Sequence, residues 1–82
     1  MVNDMKKVKE IKFEFIEHIS VLSEDKRTGW RKELNLVSWN NKMPKYDIRS
    51  WSPDYTEMSK GVTLSKDELS NLRTTIDTLV LK

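Results

Sequence analysis

Three segments of the chain alternate between apolar and polar residues with a period of two. They are residues 11–22, 30–39 and 45–51, and such alternation is typical of strands that bury one face. In the first segment the odd positions are apolar with one exception; they are Ile11, Phe13, Phe15, Glu17, Ile19 and Val21. Turn-forming residues fill the intervening segments 23–29 and 40–44. The pattern therefore predicts three strands joined by short turns.

A short fourth strand and one helix are predicted for the C-terminal part of the chain. The strand covers residues 58–64 and contains Gly61, and a glycine there indicates a bend or the close approach of another chain. Ser65 and Glu68 have the spacing of a capping box, so a helix is predicted over residues 66–80. Its apolar residues recur every three or four positions and form one stripe; they are Leu69, Leu72, Ile76 and Leu79.

Four strands followed by one helix predict an α+β fold. Short connections favour an antiparallel meander, so we expect a four-stranded antiparallel sheet with a C-terminal helix. Residues 11–82 are expected to form this domain, and residues 1–10 a flexible N-terminal arm. One helix covers only part of one sheet face, and a chain of 82 residues has a thin core. Both points favour a dimer, in which a second copy supplies the missing burial.

Composition argues against catalysis. The chain contains no cysteine, which excludes a disulfide framework, a thiolate metal site and a cysteine nucleophile. Its two glycines are too few for a glycine-rich phosphate loop. The single histidine, His18, has no metal-ligand spacing around it. We therefore expect no enzyme, no catalytic residue, no metal, no cofactor and no small-molecule substrate.

No apolar run reaches the length of a targeting or membrane segment. A secretory signal needs about 7–15 apolar residues, and a membrane-spanning helix needs about 20. The lysine-containing start of the chain is followed by no such run. We therefore expect a cytoplasmic protein with no membrane partner.

Positive charge is concentrated in the middle of the chain. Residues 26–60 hold eight Lys or Arg and four Asp or Glu, a net charge of +4, together with all three tryptophans. One face of the third predicted strand mixes cations with an indole ring; its residues are Lys45, Asp47, Arg49 and Trp51. Core strands avoid such charges, and solvated strands rarely contain a tryptophan. The combination indicates a surface for a polyanion.

The neighbouring strand extends this face if the hairpin register allows it. Asn35, Val37 and Trp39 would then lie beside the third strand and bring two indole rings onto one surface. The candidate cations are Lys45 and Arg49 on the face, Lys42 and Lys60 at its rim, and Arg31 on the neighbouring strand. Such a surface suits single-stranded nucleic acid, whose unpaired bases stack on flat rings and whose phosphates need cations.

Each tryptophan also has a core interpretation. From pattern alone, Trp39 and Trp51 fit a hydrophobic core as well as they fit a binding surface. Trp30 alternates with Leu34 and Leu36, so it fits the core or a sheet edge.

The segment from the third strand to the helix start resembles a known family. Its motif pairs Asp47-Ile48-Arg49 and Trp51 with Glu57-Met58, then Lys60-Gly61-Val62-Thr63-Leu64 and the capping Ser65. These residues resemble the single-strand-binding domain of the transcriptional positive cofactor four family, and most closely its small bacterial YdbC-type members. The resemblance runs from about Trp30 to Leu79.

The resemblance implies both a fold and a function. The fold is a curved four-stranded antiparallel sheet with a C-terminal helix, assembled as a homodimer. The function is single-stranded DNA binding without strong sequence demand. It is linked to transcription regulation, as a coactivator-like protein, or to the handling of unwound DNA. For this chain the resemblance implies a bacterial protein associated with the nucleoid. Arg49, Trp51 and Lys60 match DNA-contacting residues of the family. Trp39 matches an aromatic near the end of the second strand, and Lys42 or Lys45 match its turn lysines loosely.

The hypothesis is therefore a homodimeric single-stranded DNA-binding protein. Trp51 and Trp39 are expected to stack on bases, and Arg49, Lys60 and Lys45 to neutralise phosphates, with Arg31 and Lys42 as further contacts. The helix stripe is expected to pack against the sheet or the partner helix. Two alternatives stay open: single-stranded RNA binding, and a protein-interaction module that docks an acidic partner on the same face.

Overall fold

The computed structural model of the chain describes residues 6–7 and 11–81. These residues form six strands and one helix: β1 Lys6–Lys7, β2 Phe13–Glu24, β3 Arg31–Trp39, β4 Lys45–Trp51, β5 Glu57–Met58, β6 Val62–Leu64 and α1 Lys66–Thr78. The strands join in one antiparallel sheet in the order β1-β5-β4-β3-β2, and β6 also pairs with β4. The predicted architecture, an antiparallel sheet followed by one C-terminal helix, is confirmed.

Several strands differ from the prediction: β2 begins and ends two residues later than predicted, and β3 begins one residue later. The single strand predicted over residues 58–64 is two short strands, β5 and β6, separated by residues 59–61. Within the predicted arm, Lys6–Lys7 pairs with β5 as strand β1. The rest of residues 1–10 lies outside the described residues, as does Lys82, so the domain boundary stays a prediction.

The register of β3 and β4 places their polar and aromatic residues on one face. Asn35 pairs with Asp47, and Glu33 pairs with Arg49, so alternate residues of the two strands share one side. We call this the concave face, and it comprises Arg31, Glu33, Asn35, Val37 and Trp39 with Lys45, Asp47, Arg49 and Trp51. The hairpin register on which the sequence hypothesis depended is therefore confirmed.

The sheet curls so strongly that side chains from opposite ends of β3 meet. Phe13 pairs with Trp39 at the end of β3. Trp51 pairs with Arg31 at its start. These ends are roughly 26 Å apart along an extended strand, yet the rings of Phe13 and Trp51 lie 5.3 Å apart. The face that carries both rings must therefore be concave.

Bulges in the edge strand β2 contribute to this curl. The pairing of β2 with β3 shifts register three times, after Phe15, after His18 and after Val21. Each extra residue bends the strand and increases its twist. The shifts also break the predicted alternation, because Ile19 falls at a shift and is exposed. The prediction of regular period-two burial is therefore wrong beyond Phe15.

The hydrophobic core lies on the concave face and is centred on Trp51. Trp51 and Val37 are 0% exposed, and Met58 is also buried. Phe13, Phe15, Trp39 and Tyr55 pack against this core and are partly buried, as is Ile11. The expectation that Trp51 stacks on bases does not fit this position, because its whole surface is covered by the side chains that curl over it.

The helix start matches the predicted capping box. The Ser65 hydroxyl accepts from the Glu68 backbone N–H at 3.1 Å, and a Glu68 carboxylate oxygen accepts from the Ser65 N–H at 2.8 Å. This cap satisfies two backbone donors that the first turn leaves without intrahelical partners. The helix ends at Thr78, two residues before the predicted end. With 13 residues, it falls short of a membrane span, and no helix in the described ranges is long and apolar enough for one.

Most of the apolar stripe of the helix is uncovered. α1 lies against β4 and β6, but none of its residues is buried. Leu69 is partly buried, whereas Leu72, Ile76 and Leu79 are 38%, 51% and 54% exposed. The sheet of the same chain therefore leaves these three residues uncovered, and packing against a partner helix, the other predicted position of the stripe, stays a prediction.

Trp51→Ala is expected to lower the free energy of unfolding by about 3–5 kcal/mol, the usual range for removing a large buried side chain. Trp51→Phe is expected to cost much less, because it keeps an aromatic ring. It also removes an indole N–H that is buried without a hydrogen-bond partner in the described part of the chain. Urea unfolding of the purified variants measures both changes.

The control for these variants is Met43→Ala. Met43 is 83% exposed, so its truncation should change the free energy of unfolding by no more than about 0.5 kcal/mol. Equal losses for Trp51→Ala and Met43→Ala would contradict the central position of Trp51.

Candidate nucleic-acid interface

A layer of partly exposed aromatic rings covers Trp51. We call it the aromatic layer, and it consists of Phe13, Phe15, Trp39 and Tyr55. Their ring centroids lie 5.3, 4.9, 6.4 and 5.7 Å from that of Trp51, respectively. Phe13 and Phe15 meet edge to face at 5.1 Å, the favoured arrangement of two rings. The layer packs on Trp51, while each of its four residues stays partly exposed.

Arg49 is anchored beside this layer by a buried carboxylate. Its Nε and Nη2 donate to the two carboxylate oxygens of Asp47 at 2.7 Å each. Its guanidinium carbon lies 4.6 Å from the ring centroid of Trp39, within the range of a cation–π contact. Burial raises the pKa of Asp47, and the hydrogen bonds and charge of Arg49 oppose that shift. Arg49 therefore holds the orientation of Trp39, and its charge is already neutralised by Asp47.

Gly61 lets the chain pass directly over Arg49. A Cβ at this position would collide with the Arg49 Cβ and the Ile48 carbonyl oxygen, and would lie 2.9 Å from the Arg49 Nε. The glycine is thus required by the close approach of a strand of the same chain, whereas the prediction named a bend or another chain. The same contact places Lys60, which is exposed, next to the Arg49 segment.

Arg31 is anchored at the other end of the concave face. Its Nε donates to Glu33 at 3.1 Å, and its Nη2 donates to the Tyr55 hydroxyl at 2.7 Å. Tyr55 in turn donates to the same Glu33 carboxylate at 2.9 Å, and burial and this hydrogen bond raise the pKa of Tyr55. Arg31 therefore belongs to a hydrogen-bonded network that fixes one ring of the aromatic layer.

A strained loop presents Tyr55 to this network. Tyr55 has a φ of 60°, a left-handed backbone conformation that is uncommon for a bulky residue. Asp54 holds the loop by accepting hydrogen bonds from Thr56 and Ser52. These bonds lower the pKa of Asp54. Such strain persists only where surrounding contacts over-determine the conformation.

The predicted lysines lie around the concave face and are exposed. Lys45 is on the face itself, opposite Val37. Lys42 lies in the turn after Trp39 and donates its backbone N–H to the Trp39 carbonyl at 2.9 Å. The structure therefore brings the predicted residues Trp39, Lys45, Arg49 and Trp51 onto one face, with Lys42 in an adjoining turn and Arg31 at the far end of β3.

The carboxylates on the concave face form ion pairs with arginines. Glu33 and Asp47 are both buried, and each is bonded to an arginine. Across the described ranges, no group of three or more His, Asp or Glu side chains is placed to hold a metal ion.

Several residues of the candidate site were not predicted from the sequence. Phe13 and Phe15 were visible as alternating apolar residues, but nothing in their spacing indicates that they meet Trp51. Tyr55 lies in a predicted loop, and His18 lies on an exposed stretch of β2 beside Phe15, with ring centroids 4.5 Å apart. These contacts depend on the curl of the sheet, which the period of the sequence does not encode.

The fold and this face define a class of protein: a small curled antiparallel sheet with aromatic and cationic residues on its concave face, completed by one C-terminal helix. Residues 26–75 match the family described as Transcriptional Coactivator p15 (PC4). This match covers β3 to β6 and most of α1, and the chain belongs to the PC4 family. The resemblance seen in the sequence is thereby confirmed.

A relative from Treponema pallidum (strain Nichols) is described as an uncharacterized protein. It is 49% identical to this chain over 53 residues, which are 65% of this chain and 62% of the relative. The similarity therefore spans less than two thirds of the relative's length.

Asp47→Asn is expected to change the pH dependence of stability. Because burial raises the pKa of Asp47, its contribution to stability is fully present below about pH 3.9, the ordinary aspartate value. That contribution is lost as the pH rises through the pKa of the folded state. The stability of Asp47→Asn relative to wild type should therefore increase as the pH rises from about 4 to 7, as measured by urea unfolding. A difference that stays constant with pH would show that ionised Asp47 is not penalised by burial.

Proposed function

We propose that this protein binds single-stranded DNA on its concave face, without catalytic activity. The observation that carries the proposal is the aromatic layer, whose rings are held from beneath by Trp51 and stay partly exposed next to exposed lysines. Unpaired bases need flat partners of this kind, and every base offers a stacking face, so the binding tolerates many sequences. Membership of the PC4 family supports the same conclusion.

Stacking is assigned to the aromatic layer, and Trp51 supports that layer. Trp39 is the leading stacking residue because it is partly exposed and Arg49 fixes its orientation from one side. Phe13 lies 5.9 Å from Trp39 between ring centroids, so it can serve the next base. The role expected for Trp51 thus passes to the rings that cover it.

Phosphate contacts are assigned to the exposed lysines. Lys45, Lys42 and Lys60 lie around the concave face and are exposed. Arg49 is a weaker candidate than the family resemblance implied, because its two carboxylate bonds leave only 14% of its side chain exposed. Arg31 is similarly committed to Glu33 and Tyr55.

The proposal includes a homodimer. Leu72, Ile76 and Leu79 form an exposed apolar row, continued by Val80 and Leu81, which are also exposed. One chain of this size buries little apolar surface, and a second copy packed on this row would supply what is missing. A role in transcription or in the handling of unwound DNA is proposed with it.

Trp39→Leu is expected to weaken binding of oligo-dT by about 1–3 kcal/mol, the measured range for one stacked base. The loss should be similar at all salt concentrations, because stacking releases few ions.

Lys45→Gln should instead reduce the slope of log K against log salt by about 0.7, the value for one phosphate contact on a single strand. Fluorescence or anisotropy titrations across a salt series measure both effects.

The chain offers matched controls for both substitutions. Trp30→Leu removes a tryptophan outside the concave face, and Lys32→Gln removes a lysine from the opposite face of β3. Neither should change binding of oligo-dT.

Titration of oligo-U and duplex DNA tests the class of nucleic acid that binds: equal or tighter binding of oligo-U would indicate RNA. Absence of oligo-dT binding at low salt would contradict the proposal and leave the protein-interaction module.

Ile76→Glu is expected to convert the dimer to a monomer, because it places a charge in the exposed apolar row. Light scattering should give a mass near twice the chain mass of 9.7 kDa for the wild type and the chain mass for the variant. Thr74→Glu, on the opposite side of α1, is the control and should stay dimeric. A monomeric wild type at high protein concentration would contradict the dimer without affecting the DNA-binding proposal.

A further inference from the structure

An open depression of about 230 Å³ adjoins the aromatic layer at Tyr55. Its polar lining comprises His18, Ser20, Arg31, Glu33, Asn35 and Tyr55, and Ile19 and Val21 complete it. Glu33 is 2% and Asn35 1% exposed, so the floor is built from buried polar side chains. The centroids of the His18 and Tyr55 rings lie 4.5 and 5.2 Å from that of Phe15. A strand stacked on the aromatic layer therefore reaches this depression at its next nucleotide.

The hydrogen bonds of the floor fix which atom donates and which accepts. The Glu33 carboxylate can only accept, so Asn35 presents its amide nitrogen to it at 3.0 Å. The Asn35 carbonyl oxygen then faces the Nδ1 of His18 at 3.1 Å. Because that oxygen can only accept, Nδ1 carries the proton. In the neutral ring, Nε2 of His18 is then an acceptor.

The opposite wall presents a donor. Arg31 uses Nε on Glu33 and Nη2 on Tyr55, while its Nη1 makes no hydrogen bond to any described residue. The Tyr55 hydroxyl is occupied, since it donates to Glu33 and accepts from Arg31. Besides the Ser20 hydroxyl, which can donate or accept, the depression therefore offers an acceptor, the His18 Nε2, and a donor group, the Arg31 Nη1.

We propose that this depression binds the polar edge of one unpaired nucleobase and reads its hydrogen-bonding pattern. A base edge carries both a donor and an acceptor, which matches the acceptor and donor of the two walls. A phosphate fits poorly, because it has no donor for His18 and the charge of Arg31 is balanced by the buried Glu33. The inference rests on the proposed single-strand binding and adds a position at which the base matters.

Oligo-dT and an oligonucleotide of N3-methylthymine test this inference. In thymine the ring N3–H is the donor that would meet the His18 Nε2, and the flanking carbonyl oxygen would meet Arg31. Methylation at N3 removes that donor and keeps the ring, its stacking face and the backbone charge. The wild type is expected to bind the methylated strand about threefold to tenfold more weakly, the value of one hydrogen bond.

The variant His18→Phe gives the matched comparison. His18 has 55% of its side chain exposed, so a phenyl ring is tolerated there and keeps the contact with Phe15 while removing the acceptor. This variant should bind the two oligonucleotides equally. His18→Gln, which restores an acceptor, should recover part of the discrimination, and circular dichroism checks that each variant is folded.

Three outcomes separate the inference from the proposed function. Equal binding of both oligonucleotides by the wild type would overturn the base-reading depression while leaving single-strand binding intact. Discrimination that persists in His18→Phe would also overturn it, because the signal would arise elsewhere. If the wild type fails to bind oligo-dT at low salt, the proposed function itself fails.

Discussion

The contact between Trp51 and Phe13 is the interaction on which the rest of the structure depends. These residues pair with opposite ends of β3, so their rings can meet only because the sheet curls over its own middle. That curl buries the central residues of β3, including Glu33 and Asn35. Buried polar groups need partners, and the partners of Glu33 and Asn35 are residues that shape the concave face, namely Arg31, Tyr55 and His18.

The two arginines of the concave face act mainly as structural groups. Asp47 holds Arg49, and Glu33 holds Arg31, so each guanidinium charge is balanced before any ligand arrives. The charge of +4 counted over residues 26–60 therefore overstates the attraction that this face exerts on phosphates. Lysines at the rim supply the remaining charge. In the proposed function, stacking accordingly has the larger share of binding, and this would favour unpaired strands over duplexes, whose base faces are hidden.

The sequence predicted those parts of the fold that depend on local periodicity. The sequence leaves open the β3–β4 register and the segment that approaches Gly61, whereas the capping box of Ser65 and the strands β3 and β4 themselves follow from spacing. Curvature does not, because it arises from the three register shifts of β2 and from long-range packing. For that reason the sequence places Trp51 on the correct face of the sheet but does not show that the aromatic layer covers it. The position of the Tyr55 ring in the aromatic layer depends on a left-handed backbone conformation that its neighbours impose.

The concave face and the helix row divide the molecule into two separate surfaces. Alternate residues of β3 and β4 face the aromatic layer. The row of Leu72, Ile76 and Leu79 belongs instead to a helix whose main contacts with the sheet, among the described residues, are to β4 and β6. A second copy on the helix row would therefore leave both concave faces accessible. A twofold axis relates such faces in opposite directions, and the two strands of melted DNA also run in opposite directions. A dimer through the helix row and DNA binding on the concave face are thus compatible in one small chain, because they use different residues.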